Sequence, residues 1–179
     1  MAGGRDAAAD VTAAQALERS FGEHYEVLYR FLRLCGASDA AAEDCVQEAF
    51  LRLHEQLIRK RPPENMRAWL FRVVYRVWLD RWRAGRREVA AGDSTWDSWS
   101  DVLRDPAVTA DEELLARERR EWLRRALRHL SQVERQALHL RADGLRYREI
   151  AEVLGVSYWS GVEAVRRALD ILGEEAHGL

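Results

Sequence analysis

The sequence predicts an all-α protein made of two small helical domains. Apolar residues recur at spacings of three and four in almost every patterned segment, and no segment alternates convincingly with period two. Charge is also segregated: residues 59–87 are strongly basic, whereas residues 93–113 are mostly acidic and residues 88–108 carry no sustained period. A chain of 179 residues with 47% apolar residues is long enough for two such domains joined by an acidic linker.

Four segments follow from these patterns. Residues 1–12 are rich in Ala, Gly and Asp without an apolar face, and we expect them to form a disordered lead. Residues 13–87 are predicted to form the first domain and residues 88–108 the acidic linker. Residues 109–179 are predicted to form the second domain.

The first domain is predicted to contain three helices. The first covers residues 13–35, and Gly36 is placed to end it. The second starts at Ser38 or Asp39, which are good N-cap residues, and ends before the helix-breaking "RPP" at 61–63. Its apolar face, which includes the thiol of Cys45, lies opposite an acidic and amide-bearing face. A solvated surface is the plainest interpretation of that polar face.

The third helix, over residues 66–84, combines two residue types that prefer different surroundings. Trp69, Trp78 and Trp82 share the spacing of the apolar stripe, so we expect them to face the core. Arginines follow one another along the opposite side, and few acidic residues accompany them. Arginines that neutralise phosphates, interleaved with aromatic rings that stack on bases, are typical of proteins that bind single-stranded nucleic acid. A merely solvated arginine face is the alternative.

The second domain is predicted to contain four helices. Thr109 with Glu112, and then Ser131 with Glu134, have the spacing of capping boxes and mark the starts of the first two helices. The second of these helices ends at the "DG" of residues 143–144. Two further helices follow. The last covers residues 158–173, and its apolar stripe is predicted to consist of Tyr158, Val162, Val165, Leu169 and Leu172.

The stretch "LRYREIAEVLGVS" at 145–157 has the form of a helix-turn-helix. The small Ala151 allows two helices to approach closely, and Gly155 supplies the positive φ angle that the turn requires. The following helix would then enter the major groove of duplex DNA with its first turns toward the base edges. An αα-hairpin in a helical bundle is the alternative interpretation of the same spacing.

Several other classes of protein are disfavoured by the sequence. Cys35 and Cys45 are too few for a disulfide framework and fit a reducing cytoplasm. No apolar run approaches the roughly 18 residues of a membrane helix, and the first residues lack the apolar core of a signal peptide. The histidines and cysteines match no metal-site spacing, and no phosphate loop or nucleophile elbow is present. We therefore expect a cytoplasmic protein without membrane insertion, metal, cofactor or catalytic activity.

Three stretches together carry a family resemblance: "AEDCVQEAFLRLHE" at 42–55, "NMRAWLFRVVYRVWLDRWR" at 65–83 and "HLSQVERQALHLRADGLRYREIAEVLGVS" at 129–157. In this order they resemble the bacterial RNA polymerase sigma factors of the extracytoplasmic-function (ECF) group. The resemblance implies a first domain like sigma region 2, which binds core RNA polymerase and recognises and melts the proximal promoter element. It implies a second domain like sigma region 4, which binds the distal promoter element as duplex DNA. It also implies an anti-sigma factor as a further partner.

The same resemblance assigns roles to individual residues. The surface for core RNA polymerase is implied to consist of Asp44, Gln47 and Glu48. Contacts with the proximal promoter element, including the melted strand, are implied for Arg59, Lys60, Arg61, Asn65, Arg67, Arg72, Arg76 and Arg83. Contacts with the distal element are implied for Arg146, Tyr147, Ser157, Trp159, Ser160, Glu163, Arg166 and Arg167.

This chain departs from the family pattern at three places. Val77 stands where the family usually has an asparagine, which removes a polar group from the third helix. Arg146 replaces the usual Ser or Thr cap, so we expect Glu149 to lose its capping partner at a cost of about 1 kcal/mol. The last helix opens with "YWSGVEAVRR" and places Glu163 near an expected base, where a carboxylate repels phosphate but can accept from cytosine N4.

A second functional class fits part of the chain. A helix-turn-helix transcriptional regulator, with an N-terminal sensing or dimerisation domain, would explain residues 109–173 equally well. It gives no reason for the basic third helix of the first domain. Binding to core RNA polymerase distinguishes the two classes, because such a regulator finds its site without it.

Overall fold

The computed structural model describes residues 3–85, 122 and 126–177, and it describes side chains for residues 13–85, 122 and 126–173. Every regular element within these ranges is an α-helix, which confirms the predicted all-α class. The chain divides into two compact helical units. The predicted acidic linker at 88–108 and the capping box of Thr109 and Glu112 lie outside the described residues.

The first unit contains three helices close to those predicted: α1 (Gly3–Leu34), α2 (Asp39–Ile58) and α3 (Met66–Gly85). Helix α1 ends just before Gly36, which has a φ of 90°. Ser38 is the N-cap of α2, and its side chain accepts a hydrogen bond from the Ala41 N–H at 3.3 Å. The end of α1 and the start of α2 were therefore predicted to within one residue from the local sequence.

The start of α1 was predicted wrongly. The helix begins at Gly3, so residues 3–12 are helical rather than part of a disordered lead. The prediction relied on the missing apolar face, but this segment is rich in alanine, which has the highest intrinsic helix propensity. Extending an existing helix avoids the cost of nucleation, so propensity alone is enough here.

The core of the first unit is made of aliphatic side chains and phenylalanines. Phe31 of α1 and Phe71 of α3 are fully buried and meet edge to face, with ring centroids 5.2 Å apart. The buried residues of α3 are Leu70, Phe71, Val74 and Val77. The prediction that its tryptophans fill the core was too strong: Trp69 and Trp78 are half-buried, and Trp82 is 39% exposed. Phenylalanine and valine fill that space, and the indoles lie at its margin.

The second unit contains a helical segment at residues 126–128, followed by α4 (Gln132–Ala142), α5 (Tyr147–Leu154) and α6 (Tyr158–His177). The predicted capping box at the start of α4 is present. Ser131 Oγ accepts from the Glu134 N–H at 3.3 Å, and Glu134 Oε2 accepts from the Ser131 N–H at 2.7 Å. Each segment contributes buried apolar side chains to the core, such as Leu127, Leu140, Ile150 and Val165.

The buried face of α6 differs from the predicted apolar stripe. Its described buried residues are Gly161, Ala164, Val165 and Ala168, whereas Tyr158 is 47% and Leu169 is 52% exposed. A β-carbon added at Gly161 would lie 3.5 Å from Ala151 Cβ and 3.6 Å from the Tyr147 carbonyl oxygen. Small residues form the inner face because α5 packs so closely there, and the larger apolar side chains lie outside it.

Membrane-spanning helices and metal-ligand clusters are both absent from the described ranges. None of the helices there combines the length and the apolar character that crossing a bilayer requires. No three His, Cys, Asp or Glu side chains come together there as the ligands of a metal ion would.

Candidate functional site

The outward face of α2 presents the three residues predicted to bind a protein partner. Asp44 and Gln47 are exposed, and Glu48 is half-buried. Asp44 Oδ2 lies 3.0 Å from a terminal guanidinium nitrogen of Arg81, on α3. Glu48 accepts a hydrogen bond from Arg52 at 2.9 Å, one turn further along α2. Both acids are therefore held by arginines while their side chains stay accessible.

Two further residues belong to this face but were missed in the sequence. Leu51 is 62% exposed, one turn after Gln47, so it places an apolar side chain beside the polar ones. Its departure from the apolar stripe of α2 is a signal that could have identified it. Arg81 lies on the side of α3 that faces α2, one turn beyond the buried Val77. Only the packing of the two helices brings it to Asp44, so no local pattern could have predicted this pair.

The loop between α2 and α3 is basic and has a defined backbone. Lys60 adopts a left-handed conformation with φ of 55°, and the Arg61 N–H donates to the Gln56 carbonyl at 2.9 Å, closing the end of α2. The side chains of Arg59, Lys60 and Arg61 are exposed. Arg59 approaches Glu55 at 4.0 Å. The loop therefore presents three positive charges along one short stretch.

Asn65 also has a structural role at the start of α3, which was not predicted from the sequence. Its Oδ1 accepts a hydrogen bond from the Ala68 N–H at 3.1 Å, and its carbonyl accepts from the Trp69 N–H at 3.0 Å. The residue therefore caps the start of α3. Substitution of Asn65 would therefore alter the start of α3 as well as the predicted contact with nucleic acid.

Three of the predicted arginines, Arg72, Arg76 and Arg83, follow the side of α3 opposite its buried residues. Arg72 is half-buried, whereas Arg76 and Arg83 are exposed. Arg83 lies 3.5 Å from Asp80, and both members of this pair are about two-thirds exposed. Within the described ranges Arg76 has no acidic partner within 4.0 Å. These three residues are the arginine surface of α3, on which Arg76 is the side chain without an acidic neighbour in the part of the chain described.

Arg67, at the start of α3, lies close enough to α1 to influence a buried histidine. His24 is 7% exposed, and burial lowers its pKa, with a further contribution from the positive charge of Arg67. Glu23 acts in the opposite direction. His24 is therefore held toward its neutral form, so its burial places no full positive charge in the core.

The predicted helix-turn-helix is present in the second unit. Helix α5 ends at Gly155, whose φ of 68° places it in the left-handed region, and the Val156 N–H donates to the Ala151 carbonyl at 3.0 Å. Ser157 then caps α6, since its Oγ accepts from the Ser160 N–H at 3.1 Å. The Oγ atoms of Ser157 and Ser160 also share a hydrogen bond of 2.8 Å. Both predicted serines thus stabilise the start of α6.

The N-terminus of α5 corrects the expectation for Glu149. Its carboxylate accepts a hydrogen bond from the backbone N–H of Arg146 at 2.7 Å, so it keeps a capping partner. The Arg146 side chain supplies no cap of its own, because a guanidinium has no acceptor. Half of a capping box therefore remains. Nearby, the guanidinium of Arg141 lies 5.2 Å from the ring centre of the half-buried Tyr147.

The first turn of α6 presents aromatic residues. Trp159 is 76% exposed, and its ring centroid lies 5.3 Å from that of Tyr158 in an edge-to-face arrangement. An indole this exposed contributes nothing to the core of the unit. With the 47% exposed Tyr158 it forms an exposed aromatic pair at the start of the helix.

The next turns of α6 carry a network of charged side chains. Glu163 accepts from Arg166 through both carboxylate oxygens, at 2.9 and 2.8 Å, and from Arg167 Nε at 2.9 Å. Arg166 also donates to Asp170 at 2.9 Å. Hydrogen bonds from Arg166, and then from Arg167, lower the pKa of Glu163 to about 2. Arg166 and Arg167 follow Glu163 by three and four residues, a spacing at which helix side chains meet, so these ion pairs could have been predicted from the sequence. The prediction for Glu163 addressed only its contact with DNA.

Comparison with known proteins places both units in one family. Residues 21–88 match the sigma-70 region 2 family, and residues 120–158 match the sigma-70 region 4 family. The chain is 33% identical over 139 residues to an ECF RNA polymerase sigma factor, EcfG, of Rhodopseudomonas palustris (strain TIE-1), which covers 76% of this chain and 71% of that protein. The region 4 match ends at the first residue of α6.

Two solved structures share the fold. One is CnrH in complex with the cytosolic domain of CnrY, with a TM-score of 0.57 and 22% identity, covering 97% of this chain and 95% of that one. The other is the sigma factor RpoE with the anti-sigma factor NepR from Bartonella quintana, with a TM-score of 0.60 and 20% identity, covering 91% and 98%. The two sigma-70 regions in order, with 33% identity across most of an ECF sigma factor, show that this chain belongs to the ECF family of RNA polymerase sigma factors.

Proposed function

We propose that this chain is a promoter-specificity subunit, which binds core RNA polymerase and directs initiation at promoters with a proximal and a distal element. It acts in the cytoplasm, where it forms holoenzyme, and it has no catalytic activity of its own. The observation that carries the proposal is the order of the two matched regions. Region 2 falls on the helical unit with the arginine surface, and region 4 on the unit with the helix-turn-helix.

The outward face of α2 is the surface for core RNA polymerase. Asp44, Gln47 and Glu48 supply acceptors and an amide around the exposed side chain of Leu51. A polar rim around an apolar anchor is the usual composition of a protein interface. The arginines that hold Asp44 and Glu48 fix the direction of the two carboxylates before the partner arrives, which reduces the ordering cost of binding.

The arginine surface of α3, with the basic loop before it, binds the proximal element as the strands separate. Arg76 and Arg83 are exposed for phosphate contacts, and the side chains of Arg59, Lys60 and Arg61 extend the positive surface. Extruding a base from the duplex costs a few kcal/mol, which contacts with the released strand offset. The partly exposed indole of Trp82 supplies an aromatic edge on the same helix.

The helix-turn-helix binds the distal element as duplex DNA. Trp159 lies in the first turn of α6, where a recognition helix contacts base edges, and its exposure fits an apolar contact with a thymine methyl group. Each unit alone holds DNA weakly. When both are bound to one polymerase, the first contact raises the effective concentration for the second.

An anti-sigma factor is the proposed regulatory partner. One solved structure with this fold contains a sigma factor bound to an anti-sigma factor, and the other contains a complex with a cytosolic domain. A protein that occupied the α2 face or the arginine surface would prevent holoenzyme assembly or promoter melting. Co-purification of the chain with such a partner, and its displacement by core enzyme, would test this part of the proposal.

The proposal is tested by in vitro transcription with purified core RNA polymerase on a genomic library, followed by alignment of the start sites. We expect transcripts that share a proximal and a distal element only when the chain is added to core enzyme. Core enzyme alone is the control. Random initiation, or none, with a correctly folded chain would contradict the proposal. Site-specific DNA binding by the chain without core enzyme would favour a helix-turn-helix regulator instead.

A further inference from the structure

The recognition helix α6 neutralises its own positive charge. Arg166 and Arg167 are the two basic residues among its described residues, 158–173, and both donate to Glu163. Arg166 also donates to Asp170. The four side chains carry two positive and two negative charges, so this cluster has no net charge. All four are between 41% and 61% exposed, and the network therefore forms on the surface that would face DNA.

The geometry ties both arginines to a single carboxylate. Arg166 makes a bidentate contact, through Nε at 2.9 Å and a terminal nitrogen at 2.8 Å, which uses the edge that a phosphate would otherwise occupy. Arg167 uses its Nε on the same oxygen of Glu163, at 2.9 Å. A phosphate must therefore compete with Glu163 for the Nε and Nη2 edge of Arg166 and for the Nε of Arg167, whose terminal nitrogens do not contact Glu163. Because the carboxylate has a pKa of about 2, it stays ionised under any condition in which DNA binding is measured.

Phosphate contacts dominate the part of DNA affinity that does not depend on sequence. A recognition helix whose arginines are already paired has little of this affinity. Its binding then depends on groups that read the bases, and the exposed, uncharged ring of Trp159 is the largest of these on α6. All four side chains of the network lie beyond residue 158, where the match to the region 4 family ends.

We propose that Glu163 is an internal competitor of DNA phosphate for Arg166 and Arg167, and that it keeps the sequence-independent affinity of the helix-turn-helix low. Glu163 is then a specificity-determining residue that acts through its two neighbours rather than by reading a base. This inference rests on the proposed function, since it assumes that α6 faces duplex DNA. In the free chain, the network lowers the affinity for DNA of arbitrary sequence. In holoenzyme, binding of the helix-turn-helix to the distal element then depends on the base sequence and on the attachment of the chain to the polymerase.

The test compares two substitutions that remove one negative charge from the same helix. Glu163→Gln removes the negative charge and one of the two acceptor oxygens that hold the arginines, while Asp170→Asn alters one partner of Arg166 and leaves Glu163 and its contacts in place. Both side chains are exposed, so neither change should unfold the unit, which circular dichroism would verify. Binding of the full-length chain to a random-sequence duplex is measured by fluorescence anisotropy as a function of salt. Holoenzyme is measured on a promoter obtained from the library selection.

The expected result is a steeper salt dependence for Glu163→Gln alone. Each phosphate contact adds about 0.9 to the slope of log K against log salt, so freeing two arginines should steepen it by about 1 to 2. Affinity for the random duplex should rise, and the ratio of promoter to random binding by holoenzyme should fall. In a background carrying Arg166→Gln and Arg167→Gln, the Glu163→Gln change should leave the slope unaltered.

Two outcomes would overturn the inference. Equal effects of Glu163→Gln and Asp170→Asn would show that only the long-range charge of the helix matters. A loss of affinity confined to promoters with one particular base, at an unchanged slope, would show that Glu163 reads that base directly. Failure of the proposed function is distinguishable from both, because wild-type holoenzyme would then show no preference for any promoter in the same assay.

Discussion

Neutralising the exposed arginines of α3 should impair promoter melting without preventing holoenzyme assembly. The double variant Arg76→Gln and Arg83→Gln removes two exposed charges from the side of α3 opposite its core. Its matched control is Arg19→Gln with Arg30→Gln, which removes two exposed or half-exposed charges from α1 of the same unit. Both double variants change net charge equally, so a difference between them reports position rather than total charge.

The size of the effect follows from the two phosphate interactions that the α3 variant can no longer make. Each such interaction with single-stranded DNA contributes about 0.7 to the slope of log K against log salt, so removing two should reduce the slope by about 1.4. Between about 50 and 200 mM salt, wild-type affinity for the open strand should then fall about sevenfold more than that of the variant. The surface pair of Arg83 with Asp80, at 3.5 Å, is weak enough to give way to a phosphate.

Melting is measured by permanganate reactivity of unpaired thymines in holoenzyme–promoter complexes, and assembly by native gel electrophoresis with core enzyme. We expect reduced reactivity and a shallower salt dependence for the α3 variant, with normal assembly of both variants. Arg72 is kept in this variant, because its side chain is half-buried and takes part in other interactions, so its substitution could also change stability. Normal melting by the α3 variant, or equal loss in the α1 control, would refute the assignment of this surface.

Further predictions concern assembly, stability and pH. Asp44→Asn should weaken binding to core enzyme in the native gel yet change the free energy of unfolding by less than about 1 kcal/mol, because its ion pair with Arg81 is exposed. Lys60→Gly should raise stability in denaturant melts by about 0.5 to 1 kcal/mol, because glycine relieves the left-handed strain, and an unchanged midpoint would contradict this. Phe71→Ala should lower the free energy of unfolding of the first unit by about 3 to 5 kcal/mol, again by denaturant melts. Burial lowers the pKa of His24, so the folded state binds its proton less readily than the unfolded state. Stability should therefore be fully retained above the ordinary value of 6.5 and fall as pH drops through it. Thermal melts should show this decline in the wild type, and an equal decline in His24→Gln would exclude the histidine as its cause.

Features encoded by neighbouring residues could be predicted from the sequence. The capping box of Ser131 and Glu134 and the turn at Gly155 each depend on a few adjacent positions, and the structure contains both. The bounds of α3 were predicted to within one residue, because the double proline before it excludes helix and the apolar period continues to its end. The early start of α1 was missed because an apolar face was required where alanine propensity is sufficient.

Features that depend on packing between helices could not be predicted in the same way. Spacing placed the tryptophans of α3 on the buried side, but Phe71 and Val74 occupy the space nearest to Phe31 and leave Trp82 partly exposed. Similarly, the ion pair of Asp44 with Arg81 joins residues of two helices whose relative rotation the sequence does not specify. The family resemblance indicated candidate positions for the site, whereas contacts between helices, such as that of Asp44 with Arg81, are seen only in the folded structure.

The two helices that we propose to face DNA use arginine in opposite ways, and this difference has a physical consequence. On α3, Arg76 has no acidic partner within the described ranges, so its charge is available to a phosphate at once. On α6, Arg166 and Arg167 are already paired with Glu163, so a phosphate gains only the difference between two similar interactions. Salt should therefore act mainly on the step at which strands separate, and much less on recognition of the distal duplex. Binding to the distal element should therefore be sequence-specific but of low affinity, because it depends on contacts with the bases that α6 can reach. Tethering through the polymerase then supplies the affinity that the recognition helix lacks.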